Sequence, residues 1–284
     1  MKIIMMRGLP ASGKTTKARE LMDEYGNFVR VNRDNIRAMM HNGWSGKNEK
    51  LTVTAEKAIV KSILDAGYNV IVDDTNLGKK HEDMWRSITN ELGAKFEIVK
   101  MDTPIDECIR RDAERDASVG AHVIWRFAVQ YKLWRPKKGI VLCDIDGTVA
   151  DLSHRLHYYN EEPINYEAFF GTVKYDKPFY EVIETVKDYH QQGYDIFFVS
   201  GRPEQTRKDT EEWLGKHGLY PHVARAVFMR GAHDRRKDDI VKEDILKIFD
   251  INDIHKVIDD RPSVIRMWRL HGLDVIDVGD GIEF

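Results

Sequence analysis

The first residues that could carry out chemistry form a glycine-rich loop near the start of the chain. The segment Gly8-Leu9-Pro10-Ala11-Ser12-Gly13-Lys14-Thr15 fits the pattern G-x-x-x-x-G-K-[ST] at every fixed position. In this pattern glycines let backbone N–H groups approach phosphate oxygens, the lysine reaches the terminal phosphates, and the hydroxyl residue binds Mg²⁺. The loop therefore predicts a nucleotide site with Thr15 as a Mg²⁺ ligand. The residues expected to contact the nucleotide are Gly8, Ser12, Gly13, Lys14, Thr15 and Thr16.

A candidate base for an acceptor hydroxyl follows the second predicted strand. The segment Asn32-Arg33-Asp34-Asn35-Ile36-Arg37 begins at the edge where ligands bind in open α/β sheets. Asp34 could take a proton from an incoming alcohol, and Arg37, one helical turn later, could hold a phosphate of that substrate. The alternative is that Asp34 only caps a helix. Beside the phosphate loop the catalytic interpretation is favoured, and it predicts a kinase that uses ATP.

Two further segments fit the same site. Asp73-Asp74-Thr75-Asn76 ends the third predicted strand, and Thr75 is expected to bind substrate, although these residue types also suit a simple turn. Arg111 and Arg115 follow Thr103-Pro104, in the place where small P-loop kinases close a lid over ATP. Cations there would stabilise charge on the γ-phosphoryl oxygens. A helix face of mixed charge would look similar.

A second set of carboxylates begins the other half of the chain. Asp144-Ile145-Asp146-Gly147-Thr148 follows the apolar run Ile140-Val141-Leu142-Cys143, so both acids can lie at the end of one strand. Asp144 could attack phosphorus to give an aspartyl phosphate, while Asp146 protonates the leaving alcohol and then deprotonates water. Mg²⁺ must offset the repulsion between these anions and a phosphate. Its expected ligands are Asp144, the backbone carbonyl of Asp146, and Asp259 or Asp260.

Three more segments complete this second pattern. They are Ser200-Gly201-Arg202, Lys237 within Arg235-Arg236-Lys237-Asp238-Asp239, and Asp259-Asp260-Arg261. Together with Asp144 and Asp146 they resemble the haloacid dehalogenase superfamily of phosphohydrolases. The resemblance implies that Ser200 and Lys237 hold phosphoryl oxygens. The alternative for Lys237 is a solvated helix start.

These residues need parallel sheets to position them. Short β-rich runs alternate with helix-like stretches, which predicts parallel strands wrapped by helices. The first half has strands near 2–6, 28–31, 69–72 and 96–99, and helices near 14–25, 50–66 and 80–92. The second half has strands near 140–143, 195–199, 225–229, 256–258 and 274–276, and helices near 178–192, 203–216, 236–249 and 262–270. The fold class is therefore α/β with two doubly wound parallel-sheet domains.

The boundary between the domains is expected where Trp134-Arg135-Pro136-Lys137-Lys138-Gly139 interrupts a helical run. We predict a kinase domain over residues 1–136 and a phosphatase domain over 137–284. A polar and aromatic stretch at about 151–177 breaks the alternation and predicts a small cap over the second site.

Taken over its whole length, the chain resembles the phage type of polynucleotide kinase 3′-phosphatase. The order of the two domains, the D-D-T-N turn, R-K-D-D-I-V-K and I-D-D-R carry this resemblance. It implies 5′-kinase roles for Lys14, Thr15, Asp34, Arg37 and Arg115. It implies 3′-phosphatase roles for Asp144, Asp146, Arg155, Ser200, Arg202, Lys237, Asp259 and Asp260. Asp112 departs from the asparagine expected in the lid, and the cap around Arg155 matches poorly.

The function implied is the healing of nucleic-acid ends. ATP would phosphorylate a 5′-OH of DNA or RNA, a 3′-phosphate or 2′,3′-cyclic phosphate would be hydrolysed, and a polynucleotide ligase would act downstream. The resemblance also allows a homo-oligomer. Trp44 could stack a base, although surface packing is favoured. One alternative is a small-molecule kinase fused to a small-molecule phosphatase. Another is a nucleotide-binding interaction module without turnover.

Composition narrows the setting of this protein. The 284 residues include 42% hydrophobic ones but no run near the roughly 18 apolar residues of a membrane span. Cys108 and Cys143 cannot form a disulfide framework or a cysteine zinc site, and the start of the chain does not read as a signal peptide. The net charge of −3 establishes no partner. We expect a soluble cytoplasmic protein without a membrane partner.

Overall fold

The computed structural model describes residues 1–41 and 46–281, and Trp44 lies outside them. The chain forms two compact units, Met1–Tyr131 and Lys132–Phe284. The predicted boundary at 136/137 lies a few residues beyond this division. No helix within the described ranges is long and apolar enough to span a bilayer.

The first unit is a parallel sheet covered by helices. Its four strands are β1 (Lys2–Arg7), β2 (Phe28–Val31), β3 (Asn69–Val72) and β4 (Lys95–Lys100), and they lie in the order β2-β3-β1-β4. All neighbouring strands in this sheet are parallel. The helices are α1 (Lys14–Tyr25), α2 (Arg33–His41), α3 (Gly46–Asp65), α4 (Lys79–Glu91), α5 (Ile105–Ala113) and α6 (Ala121–Gln130).

Helices cover both faces of this sheet, which explains its apolar central strand. Ile3 and Met5 of β1 belong to one buried cluster, whereas Ile4 and Met6 belong to another. Successive side chains of a strand point to opposite faces, so a strand covered on both faces is apolar throughout. Because β1, β2 and β3 are parallel, the polar residues that follow them come together at the carboxyl edge of the sheet.

The second unit repeats this plan with five parallel strands. Its strands are β5 (Ile140–Cys143), β6 (Ala150–Asp151), β7 (Lys177–Pro178), β8 (Asp195–Pro203), β9 (Ala224–Arg230), β10 (Ile254–Asp259) and β11 (Val275–Asp277). The main sheet has the order β11-β10-β5-β8-β9. The helices are α7 (Leu156–Tyr159), α8 (Tyr166–Gly171), α9 (Tyr180–Gln191), α10 (Arg207–Lys216), α11 (Asp238–Leu246) and α12 (Pro262–Leu270). The prediction of two α/β domains with parallel sheets is confirmed.

The stretch expected to form a cap lies between β6 and β7, which pair as a short antiparallel ribbon. It contains α7, α8 and two 3₁₀ turns, Ser153–Arg155 and Val173–Tyr175. Phe169 and Val173 are buried. The rings of Tyr159 and Phe170 pack against Phe169, so the insert contains a small aromatic cluster that its irregular sequence pattern did not indicate.

Candidate active sites

The glycine-rich loop joins β1 to α1, and its residues pack closely against one another. Gly13 has a φ of 89°, and a Cβ on Gly8 would lie 2.7 Å from Ser12 Oγ. Lys14 Nζ donates to the carbonyl of Leu9 at 2.5 Å. Burial lowers the pKa of Lys14 to about 8, against the opposing effect of Asp73. A phosphate in this loop would supply the negative charge that the buried ammonium lacks.

Thr15 contacts a carboxylate that the sequence analysis treated only as part of a turn. Thr15 Oγ1 donates to Asp73 Oδ2 at 2.8 Å, and Arg30 Nε donates to the same oxygen at 2.6 Å. Asp73 Oδ1 is buried and has no hydrogen-bond partner among the described residues. A hydroxyl beside a carboxylate with an unused oxygen is the kind of donor set that Mg²⁺ takes in proteins. These residues fit the ion, and Asp73 joins the candidate site.

The D-D-T-N turn supports the loop through its backbone and an amide side chain. Gly8 N donates to the carbonyl of Thr75 at 3.0 Å. Asn76 Nδ2 donates to the carbonyl of Met6 at 2.9 Å, and Asn76 has a φ of 47°. The turn after β3 is therefore joined to the loop after β1. A role for the Thr75 hydroxyl in substrate binding stays a prediction.

Asp34 and Arg37 lie on one face of α2. Arg37 donates to Asp34 Oδ1 at 2.6 Å and forms two hydrogen bonds with Glu49, at 2.7 and 3.0 Å. The helix cap is Asn32, whose Oδ1 accepts from Asn35 N at 2.8 Å. Asp34 is therefore not needed as the cap, and its side chain is 89% exposed. Glu49, a partner of Arg37, lies in the next helix, and its contact depends on how α2 and α3 pack, which the motif around Asp34 does not indicate.

The basic segment lies beside the phosphate loop. Arg111 Nη1 would be 3.5 Å from a Cβ placed on Gly13, and Thr103 Oγ1 donates to the carbonyl of Ser12 at 2.9 Å. Arg115 forms an ion pair with the buried carboxylate of Asp112. Asp112 also accepts from Ser118 Oγ at 2.7 Å and from the backbone of residues 119 and 120. The residue that departs from the expected asparagine thus anchors both Arg115 and the following loop.

In the second unit, acidic residues after two adjacent strands converge. Asp144 follows β5, and Asp259 and Asp260 lie at the end of β10. One carboxylate oxygen from each lies within 4.8 Å of the others. Burial raises the pKa of Asp144 well above its usual range and that of Asp260 to about 6. Ionised carboxylates this close repel one another, and Mg²⁺, which prefers oxygen ligands, would offset that repulsion.

The lysine in contact with these carboxylates is Lys242, whereas the role of Lys237 in holding a phosphoryl oxygen stays a prediction. Lys242 Nζ lies 3.0 Å from Asp144 Oδ1 and 2.9 Å from Asp259 Oδ2, and its side chain is fully buried. Lys237 is exposed at the N-cap of α11. Residues of one helix face recur at intervals of three or four, so only the lysine a full turn inside α11 can reach the strand ends. Lys237 instead lines the cavity that opens in front of Asp144 and Asp146.

Asp146 is surrounded by guanidinium groups. Arg155 donates to it at 2.5 Å and Arg202 at 2.6 Å. Both arginines also contact Asp176, a buried carboxylate that the sequence analysis missed. Burial alone would raise the pKa of Asp146, but the two guanidiniums outweigh it and hold that pKa well below its usual range. The structure thus brings Arg155 and Arg202 to the candidate acid–base residue.

The remaining predicted residues lie at the end of β8. Ser200 is buried, and its Oγ accepts from Arg202 N at 3.1 Å. A Cβ on Gly201 would lie 2.1 Å from Asp238 Oδ1, so the glycine lets that carboxylate approach the strand. Asp238 in turn contacts Arg230 and Lys242. Asp238 was not predicted as a site residue, although it lies beside Lys237 in sequence.

A cavity of about 620 Å³ opens in front of Asp144 and Asp146. Aromatic residues of the cap line one part of it, and basic residues from the end of β9 to the start of α11, together with one after β10, line another. The aromatic residues are Tyr159, Tyr166, Phe169 and Phe170, and the basic residues are Arg230, Arg235, Arg236, Lys237 and Arg261. The size is within the roughly 300–1,000 Å³ of ligand sites.

Comparisons with known proteins match both halves of the chain. A family model described as "Polynucleotide kinase PNKP phosphatase domain" matches residues 138–283, and an "AAA domain" model matches residues 3–132. A protein of Autographa californica nuclear polyhedrosis virus, named "Putative bifunctional polynucleotide kinase/RNA ligase", is 28% identical over 94% of this chain. The chain spans 41% of the length of that relative.

Two solved structures are also similar to the chain. A chain in "Structure of the Pnkp1/Rnl/Hen1 RNA repair complex" is 27% identical, with a TM-score of 0.42 over 99% of this chain and 96% of that chain. The Mycobacterium tuberculosis APS kinase CysC is 25% identical, with a TM-score of 0.34 over 39% of this chain and 68% of that chain. Because its phosphatase-domain model covers just over half of the sequence, the chain belongs to the polynucleotide kinase phosphatase family.

Proposed function

We propose that this protein heals nucleic-acid ends with two independent active sites. The first transfers the γ-phosphate of ATP to a 5′-OH of DNA or RNA. The second removes a 3′-phosphate, or a 2′,3′-cyclic phosphate, to leave a hydroxyl. The observation that carries the proposal is the pair of sites in one chain: a phosphate loop with Lys14 and Thr15, and a buried nucleophile, Asp144, in contact with Lys242.

In the kinase site, Asp34 accepts the proton of the 5′-OH. The hydroxyl oxygen then forms a bond to the γ-phosphorus while the bond to the β,γ-bridging oxygen breaks, and ADP leaves. Lys14 and Arg115 stabilise the negative charge of the transferred group. Arg37 gives up its hydrogen bond with Glu49 and binds a phosphate of the acceptor instead. Thr15 and Asp73 hold Mg²⁺, which supplies positive charge at the phosphates.

In the phosphatase site, Asp144 attacks phosphorus and the bond to the 3′-oxygen breaks, leaving an aspartyl phosphate. Asp146 transfers a proton to the leaving oxygen and later takes one from water. The water oxygen bonds to phosphorus, the bond to Asp144 breaks, and inorganic phosphate leaves. Lys242 keeps Asp144 oriented at 3.0 Å. Ser200 binds a phosphoryl oxygen. Asp144, Asp259, Asp260 and the carbonyl of Asp146 hold Mg²⁺, which offsets the repulsion between anions.

The products of both reactions are the ends that a polynucleotide ligase joins. The names of two similar proteins, a polynucleotide kinase/RNA ligase and a chain of an RNA repair complex, support a ligase as the downstream partner. Formation of a homo-oligomer stays a prediction, as does the choice between DNA and RNA.

The test uses one oligonucleotide with a 5′-OH and a 3′-phosphate, incubated with ATP and Mg²⁺. We expect both ends to be converted. Lys14→Ala and Asp34→Ala should remove only 5′ phosphorylation, and Asp144→Ala should remove only 3′ dephosphorylation. Free nucleosides and nucleoside 3′-phosphates serve as competing substrates. Loss of both reactions in any one folded variant, or turnover of the small substrates alone, would contradict the proposal.

A further inference from the structure

Two stacked aromatic rings of the cap line the phosphatase cavity. The rings of Tyr166 and Phe170 are nearly parallel, with centroids 6.2 Å apart and an interplanar angle of 10°. Both residues line the cavity, and Tyr166 is 43% exposed. Aromatic rings on the surface of a nucleic-acid site stack bases without sequence preference, each worth about 1–3 kcal/mol. The surface formed by Tyr166 and Phe170 is therefore suited to a nucleobase.

The segment from Arg230 to Asp238 contributes more cations than carboxylates to the cavity lining: Arg230, Arg235, Arg236 and Lys237 against Asp234 and Asp238. Arg230 contacts Asp238, and Arg236 contacts Asp234 and Asp244. Arg235 and Lys237 also line the cavity, yet neither forms an ion pair within residues 1–41 and 46–281. These two cations are available for an anion from outside.

Arg235 connects the two parts of the cavity lining. Its guanidinium carbon lies 5.9 Å from the centroid of the Tyr166 ring. A base lying on the Tyr166 and Phe170 surface would therefore have a cation next to it. The phosphate that reacts is held elsewhere, at Asp144, where Lys242 already supplies a positive charge. The anion expected at Arg235 and Lys237 is thus a second phosphate of the same substrate.

We propose that this cavity binds the last two nucleotides of a polynucleotide 3′ end. The terminal base lies on Tyr166 and Phe170, and the phosphodiester between the last two nucleotides contacts Arg235 and Lys237. The preferred substrate is then a 3′-phosphorylated dinucleotide or longer single strand, ahead of a nucleoside 3′-phosphate. This inference rests on the proposed 3′-phosphatase activity and names the part of the substrate that its site recognises.

The experiment measures kcat/KM for three substrates that differ by one feature at a time. They are a 3′-phosphorylated dinucleotide, the corresponding nucleoside 3′-phosphate, and a base-free deoxyribose 3-phosphate. We expect Arg235→Gln to lower kcat/KM for the dinucleotide about tenfold, the equivalent of one lost contact of about 1.4 kcal/mol. The same variant should change the nucleoside 3′-phosphate less than twofold. It should also reduce the salt dependence of dinucleotide hydrolysis.

The aromatic surface is tested with Phe170→Ala and Tyr166→Ala. Each should lower kcat/KM about tenfold for both substrates that contain a base, because stacking of that size is lost. The base-free substrate should change less than twofold, which also shows that the variant has folded. Tyr166→Phe keeps the ring and should restore activity.

Matched controls come from the same unit. Lys208→Gln removes an exposed cation that does not line the cavity, and Tyr175→Ala removes a ring of the insert that is 65% exposed and also lies outside it. Neither should alter the preference among the three substrates. The inference is wrong if wild type does not prefer the dinucleotide, or if the Arg235 and Tyr166 variants lower all three substrates equally. If wild type hydrolysed none of the three substrates, that result would instead contradict the proposed 3′-phosphatase activity itself.

Discussion

Replacing Lys242 by methionine tests the buried charge arrangement of the phosphatase site. Lys242→Met removes an ammonium that lies 3.0 Å from Asp144 and 2.9 Å from Asp259, at a side chain with no exposed surface. A buried ion pair that loses one partner typically costs about 3–5 kcal/mol. The remaining carboxyls recover part of that cost by taking up protons, because the pKa of Asp144 is already raised. We expect a net loss of about 2–3 kcal/mol without Mg²⁺.

The catalytic effect should be larger than the effect on stability. Removing one fixed donor from a charge-stabilising site costs about 10²–10³ in kcat. We expect a fall of that size in 3′-phosphatase activity, with 5′-kinase activity unchanged. Urea unfolding monitored by circular dichroism measures the stability, and hydrolysis of a 3′-phosphorylated oligonucleotide measures the activity at a temperature where the variant is folded.

Lys237→Met is the matched control for Lys242→Met. It removes a lysine from the N-cap of the same helix, where the side chain is exposed. We expect a fall of about tenfold or less with the oligonucleotide, since an exposed contact of this kind is worth about 1 kcal/mol. A Lys242→Met protein that keeps most of its phosphatase activity while Lys237→Met loses it would refute the assignment.

Three other outcomes follow from the contacts described above. Affinity of the phosphatase site for Mg²⁺ should fall as pH is lowered through about 6, because burial raises the pKa of Asp260 to about 6 and the protonated carboxyl must release its proton on binding; calorimetric titration in two buffers of different ionisation enthalpy should detect that release, and proton uptake would contradict it. Asp112→Ala should raise KM for ATP about tenfold, since Asp112 fixes Arg115 beside the phosphate loop; an unchanged KM in kinase assays would exclude that role. Asp176→Asn should destabilise the second unit by about 3–5 kcal/mol because it leaves Arg155 and Arg202 with one carboxylate instead of two; a denaturant midpoint equal to that of wild type would show that the pair is dispensable.

The phosphate loop and the strand-end carboxylates could be predicted because short stretches of sequence define them. Gly8 to Thr15 carry their function within eight consecutive residues, and Asp144 with Asp146 lie directly after an apolar strand. A parallel sheet brings strand ends to one edge whatever the intervening loops are. The family and the two-domain α/β fold followed from these segments, and both are confirmed.

The charged residues that contact these carboxylates could not be predicted from the sequence in the same way. Lys237 and Lys242 lie in one charged run, and only the start of α11 at Asp238 decides which lysine faces the strand ends. Asp176 lies at the end of an insert without clear periodicity, yet it contacts Arg155 near the start of that insert and Arg202 of β8. Such contacts depend on helix phase and on the fold of the insert, and a pattern of single residue types contains neither.

The two arginines around Asp146 affect which group supplies the proton to the leaving 3′-oxygen. A carboxylate held this strongly in its ionised form begins the cycle without the proton that a departing 3′-alkoxide requires. A phosphate monoester keeps a proton of its own below about pH 6. In the proposed reaction the substrate can therefore carry the missing proton into the site and share it with Asp146. A phosphate ester with an acidic alcohol would not need this proton, because its alkoxide can leave without being protonated.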